Sequence, residues 1–115
     1  MLDDVSVGAL HAALNGLAVR QRAISDNIAN VNTPYYRAKS VAFESDLRRS
    51  LEDGDASPAA SPTVTVSPEP VGLTFSNVDL AKETVASANT QLAYDLALRA
   101  TGDRFSIVRA AIRGA

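Results

Sequence analysis

The sequence predicts a mainly α fold: long N- and C-terminal helices forming a coiled-coil-like antiparallel pair, with a short extended or β-hairpin, Pro-rich middle segment. Three observations predict it. Near the N-terminus Val7, Leu10, Leu14, Leu17, Ile24, Ile28 and Val31 step by 3, 4, 3, 7, 4 and 3, the two-sevenths stripe of a coiled-coil seam. Near the C-terminus Val78, Val85 and Leu92 repeat at seven. Between these segments Pro58, Pro62, Pro68 and Pro70 exclude helix. The 115 residues allow at most one compact domain or two long elements joined by a linker. The chain divides accordingly into residues 1–34, 35–75 and 76–115.

The N-terminal helix can be capped by Asp3 or Asp4, whose charge suits the positive end of the helix dipole. Only Gln21 interrupts its apolar series. The plainer alternative to a coiled coil is an amphipathic helix inside a small bundle. Gly8 and Gly16 each cost about 1 kcal/mol against Ala in a helix interior. With Ala9, Ala12 and Ala13 they leave one side small, which a close helix neighbour would explain. Without that neighbour the first turns are only marginally helical.

The segment ends in Asn27-Ile28-Ala29-Asn30-Val31-Asn32-Thr33-Pro34-Tyr35-Tyr36. Asparagine satisfies local backbone groups better than it propagates helix. Pro34 lacks an N–H and biases Thr33 away from helix. The helix therefore stops near Asn30 to Asn32, and Tyr35-Tyr36-Arg37 reads as extended. From Val41 to Leu51 a short amphipathic helix is expected, with Phe43, Leu47 and Leu51 in steps of four. In the Pro-rich stretch Thr63-Val64-Thr65-Val66 reads as one short strand and Val71-Gly72-Leu73-Thr74-Phe75 as a second; a plain linker is the alternative.

The C-terminal helix is expected from about Ser76-Asn77-Val78-Asp79, with Ser76 and Asn77 as caps and Asp79 and Glu83 in the early turns. Ala81, Ala88 and Leu96 lie near its seam. Tyr94, Leu98, Phe105, Val108 and Ile112 form an offset stripe, as a helix with two packing partners would have. Gly102 is a weak point, and Arg104, Arg109 and Arg113 suit the negative end of the dipole. The two terminal helices can pair with each other, with other copies, or with both.

Composition narrows the function. Aromatic residues make up 5% against 46% hydrophobic, so a core rests on Ala, Leu, Val and Ile, which suits helix–helix seams. A net charge of −2 argues against nucleic acid as a partner. Absence of Cys removes disulfides, thiolate metal sites and a Cys nucleophile. Residues Val5 to Val19 carry no Asp, Glu, Lys or Arg. They follow Asp3-Asp4 rather than a positive n-region, so no secretory signal and no membrane span is expected. His11 alone offers neither a metal site nor a nucleophilic triad. The pairs Asp3 and Asp4, and Asp79 and Glu83, have local roles in caps. Asp53-Gly54-Asp55 lacks the remaining ligands of a calcium loop. No cofactor and no small-molecule substrate is expected, and an enzyme is the weak hypothesis.

The stretch Asn27-Ile28-Ala29-Asn30 followed by Thr33-Pro34 and Tyr36 resembles the N-terminal signature of the rod and hook family of bacterial flagellar axial proteins. Tyr36-Arg37-Ala38-Lys39 with Val41 and Phe43, Asn77-Val78-Asp79-Leu80 with Glu83, Gln91-Leu92-Ala93-Tyr94, and Gly102-Asp103-Arg104-Phe105 through Arg109-Ala110-Ala111-Ile112 resemble its proximal-rod members. The likeness covers about residues 5–51 and 75–113. Phe75-Ser76 before Asn77 and Thr84 after Glu83 depart from the pattern, as does the short middle, and a sibling rod protein is the alternative within the family.

The resemblance implies a non-catalytic rod subunit of the flagellar basal body, exported unfolded by the flagellar type III apparatus and linking the membrane ring and export gate to the distal rod. It implies partners among other rod subunits, membrane-ring and export-gate junction proteins and copies of itself. The expected assembly interface is Leu10, Leu14, Leu17, Ile24 and Ile28, facing Val85, Leu92 and Leu96 of the same chain or of neighbours. Asn27, Asn30, Thr33 and Pro34 are expected to shape the turn leaving the helical core. The rival from another class is a cytoplasmic coiled-coil adaptor.

Overall fold

A computed structural model describes residues 4–54, 61–71 and 76–113. The elements run α1 (Asp4–Ala29), β1 (Lys39–Ala42), α2 (Glu44–Glu52), β2 (Thr63–Val66) and α3 (Leu80–Ile112). The fold is therefore mainly α, with a small two-stranded antiparallel sheet. It is elongated, measuring 65 × 26 × 14 Å. The 33 residues of α3 account for about 50 Å of that length at ~1.5 Å per residue.

Helix α1 stops where the asparagines and Pro34 require. Asn30 N–H donates to the Asp26 and Asn27 carbonyls, and Asn30 Nδ2 donates to the Asp26 carbonyl at 2.8 Å. Carbonyls that the ending helix would orphan are thus satisfied locally. Three expectations around it are corrected. Tyr35 is not extended but has φ 64°, in the left-handed region. The helix expected from Val41 begins only at Glu44, because Lys39–Ala42 is taken as a strand by Thr63–Val66. Strand Thr63–Val66 forms, but its partner is β1, in the register Lys39↔Val66 to Ala42↔Thr63. Val71 lies outside any strand; residues 72–75 of the second expected strand, and Asp3 as a cap, lie outside the described residues.

Helix α3 begins at Leu80, later than expected. Asp79 is the cap, its Oδ1 accepting from Lys82 N–H at 3.2 Å. Ser76 and Asn77 are freed for other bonds, described below. The helix runs through Gly102 without a break.

The core lies between α1 and the sheet. Leu17, Ala23, Val41 and Phe43 are buried together, with Val19, Leu47, Ala93, Tyr94 and Ala97 packed around them. Gly16 has a different use from the close helix neighbour expected of it. The Phe43 ring lies where its Cβ would be, 2.5 Å from Phe43 Cγ. Arg20's guanidinium stands 4.8 Å from the centroid of the same ring, a cation–π distance.

Two glycine substitutions should therefore move stability in opposite directions. In Gly16→Ala, overpacking against Phe43 costs about 1–3 kcal/mol, against a helix-propensity gain of about 1 kcal/mol. Urea unfolding should show a net loss. Gly102→Ala has nothing within 4 Å to meet and should gain roughly 1 kcal/mol. Equal effects from the two would contradict this packing.

Candidate functional site

Alternate residues of an antiparallel strand turn their backbone groups to alternate sides. Ser67 N–H donates to the Ala38 carbonyl at 2.8 Å, so Ala38, Ser40 and Ala42 face β2. Lys39 and Val41 consequently turn their backbone groups away from the sheet, towards α1. There they meet side chains instead of a third strand. Asn27 Oδ1 accepts from Lys39 N–H at 2.8 Å, and Asn27 Nδ2 donates to the Lys39 carbonyl at 2.8 Å. Arg20 Nη2 donates to the Val41 carbonyl at 2.7 Å. Asn27 is 0% exposed, and its Oδ1 also accepts from the Tyr36 hydroxyl at 3.1 Å. Burial pushes the Tyr36 hydroxyl above its ordinary pKa; Lys39 opposes this, and Asp26 and Glu83 add to it. Tyr36 thus stays a donor.

The residues that close the edge share one face of α1. Gly16, Arg20, Ala23 and Asn27 are spaced 4, 3 and 4, and Gly16, Ala23 and Asn27 are buried. This is a second heptad stripe beside the apolar one, written in small and polar residues. Arg20 also forms an ion pair with Glu44 at the start of α2. That pair, chiefly through the Arg20 hydrogen bond, lowers the Glu44 pKa to about 2.

The turn after α1 is tied on both sides. Thr33 N–H donates to the Asn30 carbonyl at 2.9 Å, Thr33 Oγ1 lies 3.0 Å from Asn30 Oδ1, and Tyr36 N–H donates to the Thr33 carbonyl at 3.2 Å. Ser76 Oγ donates to the Val31 carbonyl at 2.8 Å. Asn77 Oδ1 accepts from Ala38 N–H at 2.6 Å, and Asn77 Nδ2 donates to the Glu69 carbonyl at 3.0 Å. Arg37 Nη1 donates to the Ser67 and Glu69 carbonyls. The end of α1, residues 36–39, residues 67–69 and the entry to α3 thus meet through Asn27 and Asn77. Of the signature residues, Ala29, Thr33 and Pro34 are exposed, and Ile28, Asn30 and Tyr36 are half-buried.

Helices α1 and α3 lie side by side, their sequences running in opposite senses. Val31 is bonded to Ser76 near one end, and Gln21 Nε2 donates to Ser87 Oγ at 3.0 Å further along. The residue that interrupts the apolar stripe of α1 therefore has a polar partner. On α1, Leu17 and Ile24 are buried, and Leu10, Leu14 and Ile28 are half-buried. The residues of α3 turned to α1 differ from those expected within the chain. Ser87, Thr90, Tyr94, Ala97 and Thr101 are buried or half-buried and step by 3, 4, 3 and 4. Val85, Leu92 and Leu96 are 61%, 60% and 56% exposed. A small-residue face meets α1 because it permits close approach; the leucines are left outside. Leu98, Phe105, Ile107 and Ile112 are exposed too.

Among the described residues no group of His, Asp and Glu is placed to hold a metal ion, and no helix is long and apolar enough to cross a membrane.

The chain matches the family described as Flagella basal body rod protein over residues 5–37, which contain the whole of α1 but its first residue and the turn after it. It is 33% identical over 125 aligned residues to the flagellar basal body rod protein FlgB of Yersinia enterocolitica, covering 89% of this chain and 90% of that relative. It is 30% identical over 122 residues to FlgB of Escherichia coli K12, covering 87% of this chain and 88% of that one. It is 43% identical over 54 residues to FlgB of Borrelia hermsii, a match covering 47% of this chain and only 40% of the relative.

Two measurements test the Asn27 and Arg20 contacts that hold β1 on α1. Asn27→Ala leaves the Lys39 backbone groups unpaired and should cost about 2–4 kcal/mol in chemical unfolding, against roughly 1 kcal/mol for Tyr36→Phe. Glu44's folded pKa of about 2 lies below its ordinary 4.5. Its contribution is therefore complete above pH 4.5 and lost as pH falls towards 2. The Glu44 side chain is 52% exposed, so the screened contribution is about 0–1 kcal/mol. Glu44→Gln should flatten that part of the stability–pH curve and leave stability below pH 2 unchanged.

Proposed function

Since the chain belongs to the FlgB family of flagellar basal body rod proteins, structural components of the flagellum and not enzymes, we propose that it assembles into the rod through its two terminal helices. In this reading the subunit is exported unfolded by the flagellar type III apparatus. It then joins the membrane ring and export gate to the distal rod. Its neighbours are other rod subunits, junction proteins of the ring and gate, and copies of itself.

The observation that carries the proposal is the outer face of α3. Val85, Leu92 and Leu96 keep coiled-coil spacing yet are uncovered by their own chain. A stripe of that spacing on the outside of a helix suits a second helix from a neighbour. Leu17 and Ile24 of the α1 stripe are already buried within the chain, so the half-buried Leu10, Leu14 and Ile28 on α1 join the outer stripe of α3 as the surface this helical pair leaves for neighbours. Contacts between different surfaces of successive copies do not close on themselves, which is how a rod extends. Ordering of marginal helices is then completed by several neighbours at once. The signature turn is rigidly tied beneath this pair, so each subunit leaves the helical core at a set angle.

Leu92→Asp and Leu96→Asp separate assembly from folding. Both sites are exposed, so helical circular dichroism and chemical stability should stay within about 0.5 kcal/mol of the parent. Cells carrying either variant as the sole copy should make the protein, yet be non-motile and lack it in purified basal bodies. Motile cells would sink the proposal. Recovery of the parent chain only from the cytosol would favour the adaptor reading.

A further inference from the structure

The end of α3 reaches past its partner helix. Gln21 is bonded to Ser87, and the two helices run in opposite senses. Asp4, 17 residues before Gln21, therefore stands about level with Arg104, 17 residues after Ser87. From there to Arg113 no described part of α1 lies alongside. Phe105, Arg109, Ile112 and Arg113 line one concave surface on this end. All four are exposed, Ile112 by 79%. After Asp103 the chain has Arg104, Arg109 and Arg113 and no acid. None of these arginines forms an ion pair among the described residues. A helix end that is both apolar and basic is complementary to a surface that is both apolar and acidic.

Such a surface stands at the end of α2, where Leu51, Glu52 and Asp53 are exposed side by side. Asp26, Glu44 and Asp46 are engaged by Lys39, Arg20 and Arg49. Glu52 and Asp53 have no ion-pair partner among the described residues, and the C-terminal end of α2 adds its own negative potential. We propose that the Phe105–Arg113 end of α3 in one copy docks on the Leu51–Asp53 end of α2 in the next. Arg109 and Arg113 pair with Glu52 and Asp53, and Ile112 covers Leu51. The occupant is a second copy because the two surfaces match in charge and in apolar character and both belong to this chain, yet no ion pair joins α2 to α3 within it. An anionic membrane would match the arginines and leave Glu52, Asp53 and Leu51 without a counterpart. Exposed ion pairs are individually weak, so the contact adds to the leucine stripe of α3 and does not replace it. The two ends are different surfaces, so the contact propagates without closing. The inference rests on the rod reading only in taking copies of this chain as neighbours.

Charge exchange on the full-length chain tests it. Sedimentation of the parent at concentrations up to about 1 mM should show self-association, weakening as salt rises from about 0.05 to 1 M. Arg109→Glu/Arg113→Glu and Glu52→Arg/Asp53→Arg should each weaken it at least about tenfold. The second pair moves the net charge from −2 to the same size with opposite sign, so overall repulsion does not account for its loss. All four changes together restore both the parent's net charge and the complementarity. That chain should self-associate within about threefold of the parent. The four sites are exposed, so helical circular dichroism should be the parent's in every variant.

A parent that stays monomeric, a double variant that associates as the parent does, or a fourfold variant that regains nothing overturns the inference. So does binding of the parent to anionic phospholipid vesicles that Arg109→Glu/Arg113→Glu abolishes while self-association is kept, which would assign the end of α3 to a membrane surface. Any of these leaves the rod reading intact if the parent chain is found in basal bodies. Loss and recovery by charge exchange in a chain absent from basal bodies would do the reverse.

Discussion

The structure depends on one buried side chain satisfying a strand edge. A two-stranded sheet has two edges, and an unpaired buried N–H or C=O costs as much as a lost hydrogen bond. Strand β1 puts the backbone groups of Lys39 against α1, facing the fully buried Asn27. The Asn27 amide supplies a donor and an acceptor in the right order, standing in for a neighbouring strand. Arg20, seven residues earlier, serves Val41 in the same way. Remove this pair and only the apolar contacts of Val41 and Phe43 with Leu17 and Ala23 hold the sheet on the helix. Phe43 then has no fixed place over Gly16, and the turn through Tyr35 is no longer held in its strained conformation.

The same economy explains how 115 residues with few aromatics make a defined body. Helix α1 is used on two sides. Its small and polar stripe holds the sheet, while Leu17 and Gln21 meet α3. Helix α3 answers with Ser87, Thr90 and Ala97, whose small side chains let the helices approach closely. The larger apolar residues, Val85, Leu92 and Leu96, are left outside. Helix α3 thus hides its small residues and leaves its leucines exposed. Under the proposed rod role, the internal face serves shape and the exposed Val85, Leu92 and Leu96 serve assembly.

Much of the local structure was legible in the sequence. Asn30 and Pro34 end α1 within a residue or two of where their chemistry requires, because capping and proline sterics act inside a single turn. The strand Thr63–Val66 is legible from β-branched residues between prolines. Leu17 and Ile24 of the heptad series on α1 are buried within the chain. The candidate site was legible only in part. Asn27 stood out as one of several asparagines, but its role depends on Lys39, 12 residues away. The stripe of Gly16, Arg20, Ala23 and Asn27 was readable at heptad spacing, yet without apolar residues it carried no hydrophobic signal.

By itself the sequence determined the helical class, the C-terminal end of α1 and the family signature. These rest on propensities and sterics that operate over a few neighbouring residues. Tertiary structure decided that Lys39–Ala42 is a strand and not the start of a helix. It gave the cap of α3 to Asp79 by using Ser76 and Asn77 elsewhere, and it turned the leucines of α3 outward. The reason in each case is the same: a strand's partner, a polar side chain's best bond and the inward face of a helix are chosen by what lies across from them. That is set by long-range packing, which local spacing does not encode.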